Sequence, residues 1–115
     1  MSIHGKPRAK ALAAIPNCEP FSAGGRAYGV PNFRGESVST LPSTGSLPDT
    51  ERTLLHADYL ASGIDYVVWS YQTPIAWHML SGQWHVVDEK FSVTTTKHQH
   101  LTRCALVGAD VRSMS

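Results

Sequence analysis

The sequence has no strong excess of charge of either sign. The 115 residues include ten Lys and Arg and nine Asp and Glu, which gives a formal net charge of +1 at pH 7. Proteins that bind nucleic acid tightly through their overall field carry a large positive excess. The near balance argues against that class, although a thin basic excess remains near the start of the chain, at Lys6, Arg8 and Lys10.

Long hydrophobic runs and clustered cysteines are lacking as well. No apolar stretch approaches the roughly 20 residues of a transmembrane helix, and the first residues do not have the pattern of a secretory signal peptide. We therefore expect a cytoplasmic protein that does not associate with membranes. The two cysteines, Cys18 and Cys104, are far apart and form no Cys-x-x-Cys pair, which argues against a zinc site of thiolate type. A disulfide between them stays open, and two reduced thiols are the favoured prediction.

Glycine and proline are scarce in the second half of the chain. The chain has nine Gly and seven Pro, and twelve of these sixteen residues lie within residues 1–50. All three Trp lie further along the chain. Because the length suits one domain, we predict a loop-rich N-terminal arm over 1–48, with a short helix at 7–15, and a compact α+β domain over 49–115. Part of the arm is expected to lie against the sheet, because it holds Phe21, Tyr28, Val30 and Phe33.

The second half predicts a helix, three strands and another helix. Asp49 or Thr50 can cap the first helix, and Gly63 can end it. Strands are predicted at 64–70, 75–80 and 83–87, and residues 94–107 have the apolar spacing of a helix. The predicted fold class is α+β: a small antiparallel three-stranded sheet packed by a C-terminal helix, preceded by a helix and the loop-rich arm.

The hairpin predicts one apolar face and one pair of opposed histidines. With Ser81-Gly82 as a two-residue loop, strand alternation places His78 opposite His85. Two imidazoles so placed can share a metal ion with His98 or His100 as a third ligand. The alternative, which we favour, is a pair of half-exposed histidines that holds no ion. The other face is expected to pack on the C-terminal helix and consists of Ile75, Trp77, Met79, Trp84 and Val86.

Residues 92–99, Ser-Val-Thr-Thr-Thr-Lys-His-Gln, are the most distinctive string in the chain. Four hydroxyls and a lysine at the start of a predicted helix can bind an anion such as a nucleic-acid phosphate. The alternative is that the hydroxyls cap the helix and bond to the backbone of the turn before it. We favour this capping role.

Two segments together resemble a known family. They are residues 66–77, Tyr-Val-Val-Trp-Ser-Tyr-Gln-Thr-Pro-Ile-Ala-Trp, and residues 91–99, Phe-Ser-Val-Thr-Thr-Thr-Lys-His-Gln. They resemble a small domain of unknown function found in actinobacteriophage (mycobacteriophage) proteins, with the motifs Ser-Tyr-x-Thr-Pro-Ile-Ala and Ser-x-Thr-Thr-x-x-His-Gln. The resemblance implies a protein made in the cytoplasm of a bacterial host, and it brings no catalytic residues. We expect the two motifs to touch each other in the fold.

The sequence holds no recognisable catalytic motif. We favour a non-catalytic phage accessory or host-interaction protein whose partner is a host or phage protein. The second hypothesis is a small nucleic-acid-binding regulator that uses Lys6, Arg8, Lys10 and Lys97, and the last is a metal-dependent enzyme built around His78 and His85. We predict no cofactor and no catalytic residue. The candidate binding residues are Ser70, Tyr71, Thr73, Ser92, Thr94, Thr95, Lys97, His98 and Gln99.

Overall fold

The computed structural model describes residues 7–22, 32–89 and 91–112. Its helices begin and end near the predicted positions, including the short N-terminal helix. The predicted cap at Asp49 or Thr50 is wrong, because the N-cap residue of that helix is Pro48, which makes no side-chain cap hydrogen bond. A single 3-10 turn, Ile15–Asn17, follows the first helix. In chain order the elements are α1 (Pro7–Ala14), β1 (Phe21–Ser22), β2 (Phe33–Ser37), α2 (Asp49–Ala61), β3 (Ile64–Ser70), β4 (Thr73–Met79), β5 (Trp84–Val86) and α3 (Val93–Ala105).

The five strands form one antiparallel sheet in the order β1-β2-β3-β4-β5, so the predicted three-stranded sheet is wrong. The two additional strands come from the glycine- and proline-rich half of the chain. β2 has the sequence Phe-Arg-Gly-Glu-Ser and pairs with β3 from Phe33 opposite Ser70 to Ser37 opposite Tyr66. Its local pattern is too polar to predict a strand, and pairing with the strongly apolar β3 determines its conformation.

Both faces of the sheet are covered. One face packs against α1 and α3: Phe33, Tyr66 and Trp84 belong to one buried cluster with Ala11 of α1 and Leu101 of α3. The opposite face packs against α2, where Leu55 joins a cluster with Val67, Trp69, Trp77 and Met79. Phe21 and Phe33 lie in the first cluster, as expected for part of the arm, and Tyr28 and Val30 lie outside the described residues.

The β4–β5 hairpin has a three-residue loop, so the predicted two-residue loop is wrong. Met79 N–H donates to Gln83 O at 2.8 Å, and the loop Leu80-Ser81-Gly82 places Gly82 at φ +101°, a conformation that suits glycine. His78 therefore pairs with Trp84, and His85 pairs with Trp77.

A shift of one residue moves every side chain to the other face of its strand. His78 and His85 consequently lie on opposite faces and cannot share a metal ion. The predicted apolar face is divided in the same way: Trp77 and Met79 pack on the α2 side, and Trp84 and Val86 pack on the α3 side.

Gly35 marks a close approach between β2 and its neighbours. A Cβ atom at this position would lie 2.5 Å from the Phe21 ring and would also collide with the Tyr66 hydroxyl. We expect Gly35→Ala to lower the free energy of unfolding by about 2 kcal/mol through overpacking, measured by urea denaturation. Gly82→Ala is the control: its Cβ would meet nothing within 4 Å, so only the backbone cost of about 1 kcal/mol remains. Equal effects of the two substitutions would contradict this packing.

Candidate functional site

The two motif segments meet in a buried hydrogen-bond network at the end of β3. Ser70 Oγ lies 2.7 Å from His98 Nδ1 and 2.9 Å from Thr95 Oγ1. The Thr95 backbone N–H donates to Ser92 Oγ at 3.1 Å, so Ser92 caps α3. The expected contact between the motifs is confirmed, and Ser70 makes it.

His98 is a neutral, structural histidine. Its ring is fully buried and stacks on Phe33 with the ring centroids 4.6 Å apart. Burial lowers the pKa of His98 to about 4. Its Nε2 has no hydrogen-bond partner among the described residues. Its other ring nitrogen, Nδ1, is the one that bonds to Ser70.

This serine–histidine pair is not arranged for nucleophilic catalysis. A nucleophilic serine and its general base must be accessible to a substrate, whereas the His98 ring is fully buried. Ser70 is also buried, with only 1% of the residue exposed to solvent. The pair therefore joins β3 to α3 and does not offer a nucleophile to a substrate.

The remaining polar residues of the second motif make structural bonds or face solvent. Gln99 Nε2 donates to the carbonyls of Val87 and Glu89, at 2.8 and 3.0 Å, and so holds the chain that leaves β5. Thr96 Oγ1 donates to Ser92 O. These are the bonds of the capping alternative. Thr94 is half-buried and Lys97 is exposed on α3.

An open cleft lies beside this network, between the β3–β4 turn and the loop around residues 43–46. It encloses about 600 Å³, which is the size of a small-ligand or peptide side-chain site. Of the candidate binding residues, only Tyr71 and Thr73 line it. The lining consists of Asn32, Arg34, Ser43, Ser46, Trp69, Tyr71, Gln72 and Thr73.

Arg34 is held in a defined position in the cleft. Its guanidinium carbon lies 5.0 Å from the centroid of the Trp69 ring, a cation–π contact. Nη1 donates to Tyr71 O at 2.7 Å, and Nε donates to Glu36 at 3.1 Å. Within the described residues Nη2 has no hydrogen-bond partner. A fixed cation with free donors is therefore available to a ligand.

The cleft is lined by two residues in a backbone conformation that is unfavourable for side chains. Asn32 has φ +60° and Tyr71 has φ +58°, and the Tyr71 N–H donates to Asn32 O at 2.8 Å. The left-handed region costs about 1–2 kcal/mol for a bulky residue such as Tyr71, whereas asparagine adopts it readily, and such strain concentrates at functional sites. In the described ranges one further non-glycine residue, Cys18, has a positive φ.

The positive φ of Tyr71 is therefore expected to lower the free energy of unfolding of the native protein. Replacing Tyr71 by glycine removes the unfavourable contact of the Cβ, so we expect Tyr71→Gly to raise the free energy of unfolding by about 1 kcal/mol in urea denaturation. Gln72→Gly is the matched control, because Gln72 is the next residue of the same turn and does not have a positive φ. It should lose about 0.5–1 kcal/mol. A loss of stability in both variants would show that Tyr71 is not strained.

A second buried polar network lies on the α2 side of the sheet. His85 Nε2 donates to Glu51 Oε1 at 2.7 Å, and Trp77 Nε1 donates to Asp58 Oδ2 at 2.8 Å. Burial lowers the pKa of His85 against the opposing hydrogen bond and charge of Glu51, so His85 is neutral. Burial raises the pKa of Asp58, but the hydrogen bonds from Arg112 and Trp77 outweigh it, and the net pKa is lowered.

The prediction of two half-exposed histidines is wrong for His85, which is fully buried.

Comparison with protein families identifies the domain. A family model described as a family of unknown function, DUF8033, matches residues 32–106. The chain belongs to this family. The DUF8033 match contains both motif segments and every residue that lines the cleft, whereas α1 and Cys18 precede it. Comparisons of the chain with curated proteins and with solved structures gave no match.

None of the helices in ranges 7–22, 32–89 and 91–112 has the length and apolarity that crossing a bilayer requires.

Proposed function

We propose that this DUF8033 protein is a non-catalytic phage accessory protein that binds a host or phage protein in the host cytoplasm, through the cleft between Arg34 and Tyr71. The phage setting depends on the resemblance of the two motifs. The observation that supports a binding role is the cleft itself, in which a fixed guanidinium lies beside backbone strain at Tyr71.

The lining indicates the chemistry of the partner. Arg34 offers a free Nη2, and the amide and hydroxyl groups of Gln72 and Ser43 add further hydrogen-bonding groups at the rim. These groups suit the carbonyls of an extended peptide and one carboxylate, which a guanidinium recognises well. A short acidic segment of a protein partner is therefore the ligand that we assign to the cleft.

Nucleic acid fits the described surface less well. Lys10 and Lys97 lie on α1 and α3, which cover the opposite face of the sheet from Trp69. Lys6 and the Arg8 side chain lie outside the described residues. A single arginine in the cleft neutralises few phosphates, and phosphate contacts dominate nucleic-acid affinity.

Site-specific photocrosslinking in bacterial host cells tests the proposal. A photoreactive residue replaces Gln72, an exposed residue that lines the cleft. In the control it replaces Val107, which is 84% exposed and does not line the cleft. We expect a protease-sensitive, nuclease-resistant adduct from position 72 and none from position 107.

Two variants assign the adduct to the cleft. Arg34→Gln should abolish it, and Arg52→Gln, a half-buried arginine at the start of α2, should leave it unchanged. A nuclease-sensitive adduct would replace the protein partner by nucleic acid. An adduct that is equally strong in Arg34→Gln would place binding elsewhere.

A further inference from the structure

The turn after α1 brings a thiol close to a carboxylate and an imidazole. Cys18 Sγ, one carboxylate oxygen of Asp65 and one ring nitrogen of His78 all lie within 4.8 Å of one another. All three residues are partly buried, so solvent can reach the cluster. Within the described residues, no other group of three or more His, Cys, Asp or Glu side chains has its ligand atoms this close together. We propose that Cys18, Asp65 and His78 bind Zn²⁺, with water at the fourth tetrahedral position.

A β-bulge places Asp65 beside His78. Ile64 pairs with Met79 and Tyr66 pairs with His78, which leaves Asp65 as the additional residue of β3. Bulges redirect side chains and are frequent next to functional sites. As a result Asp65 Oδ1 lies 2.7 Å from His78 Nδ1, and the His78 ring packs on Trp84 with the ring centroids 5.0 Å apart.

Backbone contacts hold Cys18 above this pair. Cys18 has φ +54°, and its N–H donates to Ile15 O at 3.0 Å. The following residue, Glu19, accepts a 2.6 Å hydrogen bond on its carbonyl from the hydroxyl of Tyr66, the neighbour of Asp65 in β3. The three ligands therefore come from segments that are already fixed to one another, and little reorganisation is needed to bind an ion.

The donor set selects the metal. Thiolate, imidazole and carboxylate together are typical of Zn²⁺, whereas Mg²⁺ and Ca²⁺ require oxygen ligands. Bonds of about 2.0–2.3 Å in a tetrahedron place ligand atoms about 3–4 Å apart. The three ligand atoms already lie within 4.8 Å of one another, so small shifts suffice, and the 2.7 Å hydrogen bond between Asp65 and His78 opens as the ion binds. As the zinc–sulfur bond forms, the Cys18 thiol releases its proton to solvent. The thiolate and the Asp65 carboxylate then balance the two charges of the ion.

A catalytic thiol is the alternative use of these residues, and the electrostatics argue against it. Burial and the charge of Asp65 raise the pKa of Cys18 to about 11. A nucleophilic cysteine has a lowered pKa, because the thiolate is the reactive species. Without a metal ion, Cys18 is a protonated, unreactive thiol.

Metal analysis of the full chain, purified without a His tag from zinc-supplemented cells, tests this site. We expect about one zinc ion per chain, as for a single site with three protein ligands. Reconstitution with Co²⁺ should give the intense visible bands of a tetrahedral site and a thiolate-to-cobalt charge-transfer band. Cys18→Ser should lose the charge-transfer band, and Asp65→Asn should weaken zinc binding by at least about 100-fold.

The exposed pair Cys104 and His100 is a matched control. Their sulfur and nitrogen lie 3.6 Å apart on α3, and no carboxylate within the described residues completes a group of three with them. Cys104→Ser should keep full zinc content and both Co²⁺ bands. Zinc should also raise the melting temperature of the wild type and of Cys104→Ser, and leave that of Cys18→Ser unchanged. A wild-type protein without stoichiometric zinc, or zinc lost equally in Cys104→Ser, would overturn the proposal.

Discussion

Arg112→Gln is expected to lower the free energy of unfolding by about 3 kcal/mol, because it leaves a buried carboxylate without its cation. Arg112 donates two hydrogen bonds to Asp58, at 3.0 and 2.7 Å, and the Asp58 side chain is only 9% exposed. Without Arg112, the Trp77 indole is the one remaining side-chain donor to this carboxylate among the described residues. The expected value lies at the lower end for broken buried pairs, because the Arg112 side chain is 23% exposed.

Urea denaturation at neutral pH measures this effect, and Arg52→Gln is the control. Arg52 pairs with Asp49 at the start of α2, where the Arg52 side chain is 42% exposed and the Asp49 side chain is 90% exposed. Exposed pairs contribute about 0–1 kcal/mol. Losses of similar size in the two variants would mean that the Asp58–Arg112 pair does not support the fold.

Acidification is expected to destabilise the protein between pH 6.5 and 4, by on the order of 3 kcal/mol from His98 alone. The pKa of His98 is about 4 in the folded protein and has its ordinary value of 6.5 in the unfolded chain. Between these values the unfolded chain binds more protons, so stability falls as the pH falls. Above pH 6.5 both states are neutral and His98 adds no pH dependence. The lowered pKa of His85 acts in the same direction.

His98→Asn separates this titration from packing. The asparagine amide can still donate to Ser70 but does not titrate, and it loses the stacking on Phe33. We expect lower stability at pH 7 and a shallower loss down to pH 4, with the residual slope from His85. His100→Gln, an exposed position on the same helix, should keep the wild-type slope. An unchanged slope in His98→Asn, measured by urea denaturation across this range, would show that His98 is not neutral in the fold.

Features encoded by short-range patterns are the ones that the sequence predicts. The cap at Ser92 and the proline limits of the N-terminal helix act within one turn, and the apolar content of 64–70 identifies its strand without further context. The two motifs also correctly indicate their mutual contact. These features depend on neighbours in the chain.

Features created by pairing across the sheet escape such patterns. β2 is polar and becomes a strand only against β3. Leu80 is compatible both with the end of a strand and with a loop, so the local sequence does not distinguish a two-residue from a three-residue hairpin loop. The three-residue loop shifts the register by one residue and places His78 and His85 on opposite faces of the sheet. The bulge at Asp65 leaves no local signal either, although it brings that residue to His78.

The candidate site shows the same division. Tyr71 and Thr73 belong to a recognisable motif and do line the cleft. Arg34 and Trp69 carry no local sequence signal, because they come together only through the pairing of β2 with β3, where they lie opposite each other. Ser70 and His98 were candidates for binding, yet their chemistry is used inside the fold. A motif residue therefore cannot be assigned to a binding site from its residue type alone.

The division between a structural motif and a binding cleft is tested most directly by comparing Thr95→Val with Arg34→Gln in the crosslinking experiment at position 72. Thr95→Val removes a buried hydroxyl that contacts Ser70 and should cost about 1–2 kcal/mol of unfolding free energy, yet the folded variant should keep the full crosslink. Arg34→Gln should remain folded and lose the crosslink. A folded Thr95→Val that loses its partner, or an Arg34→Gln that keeps it, would contradict the account.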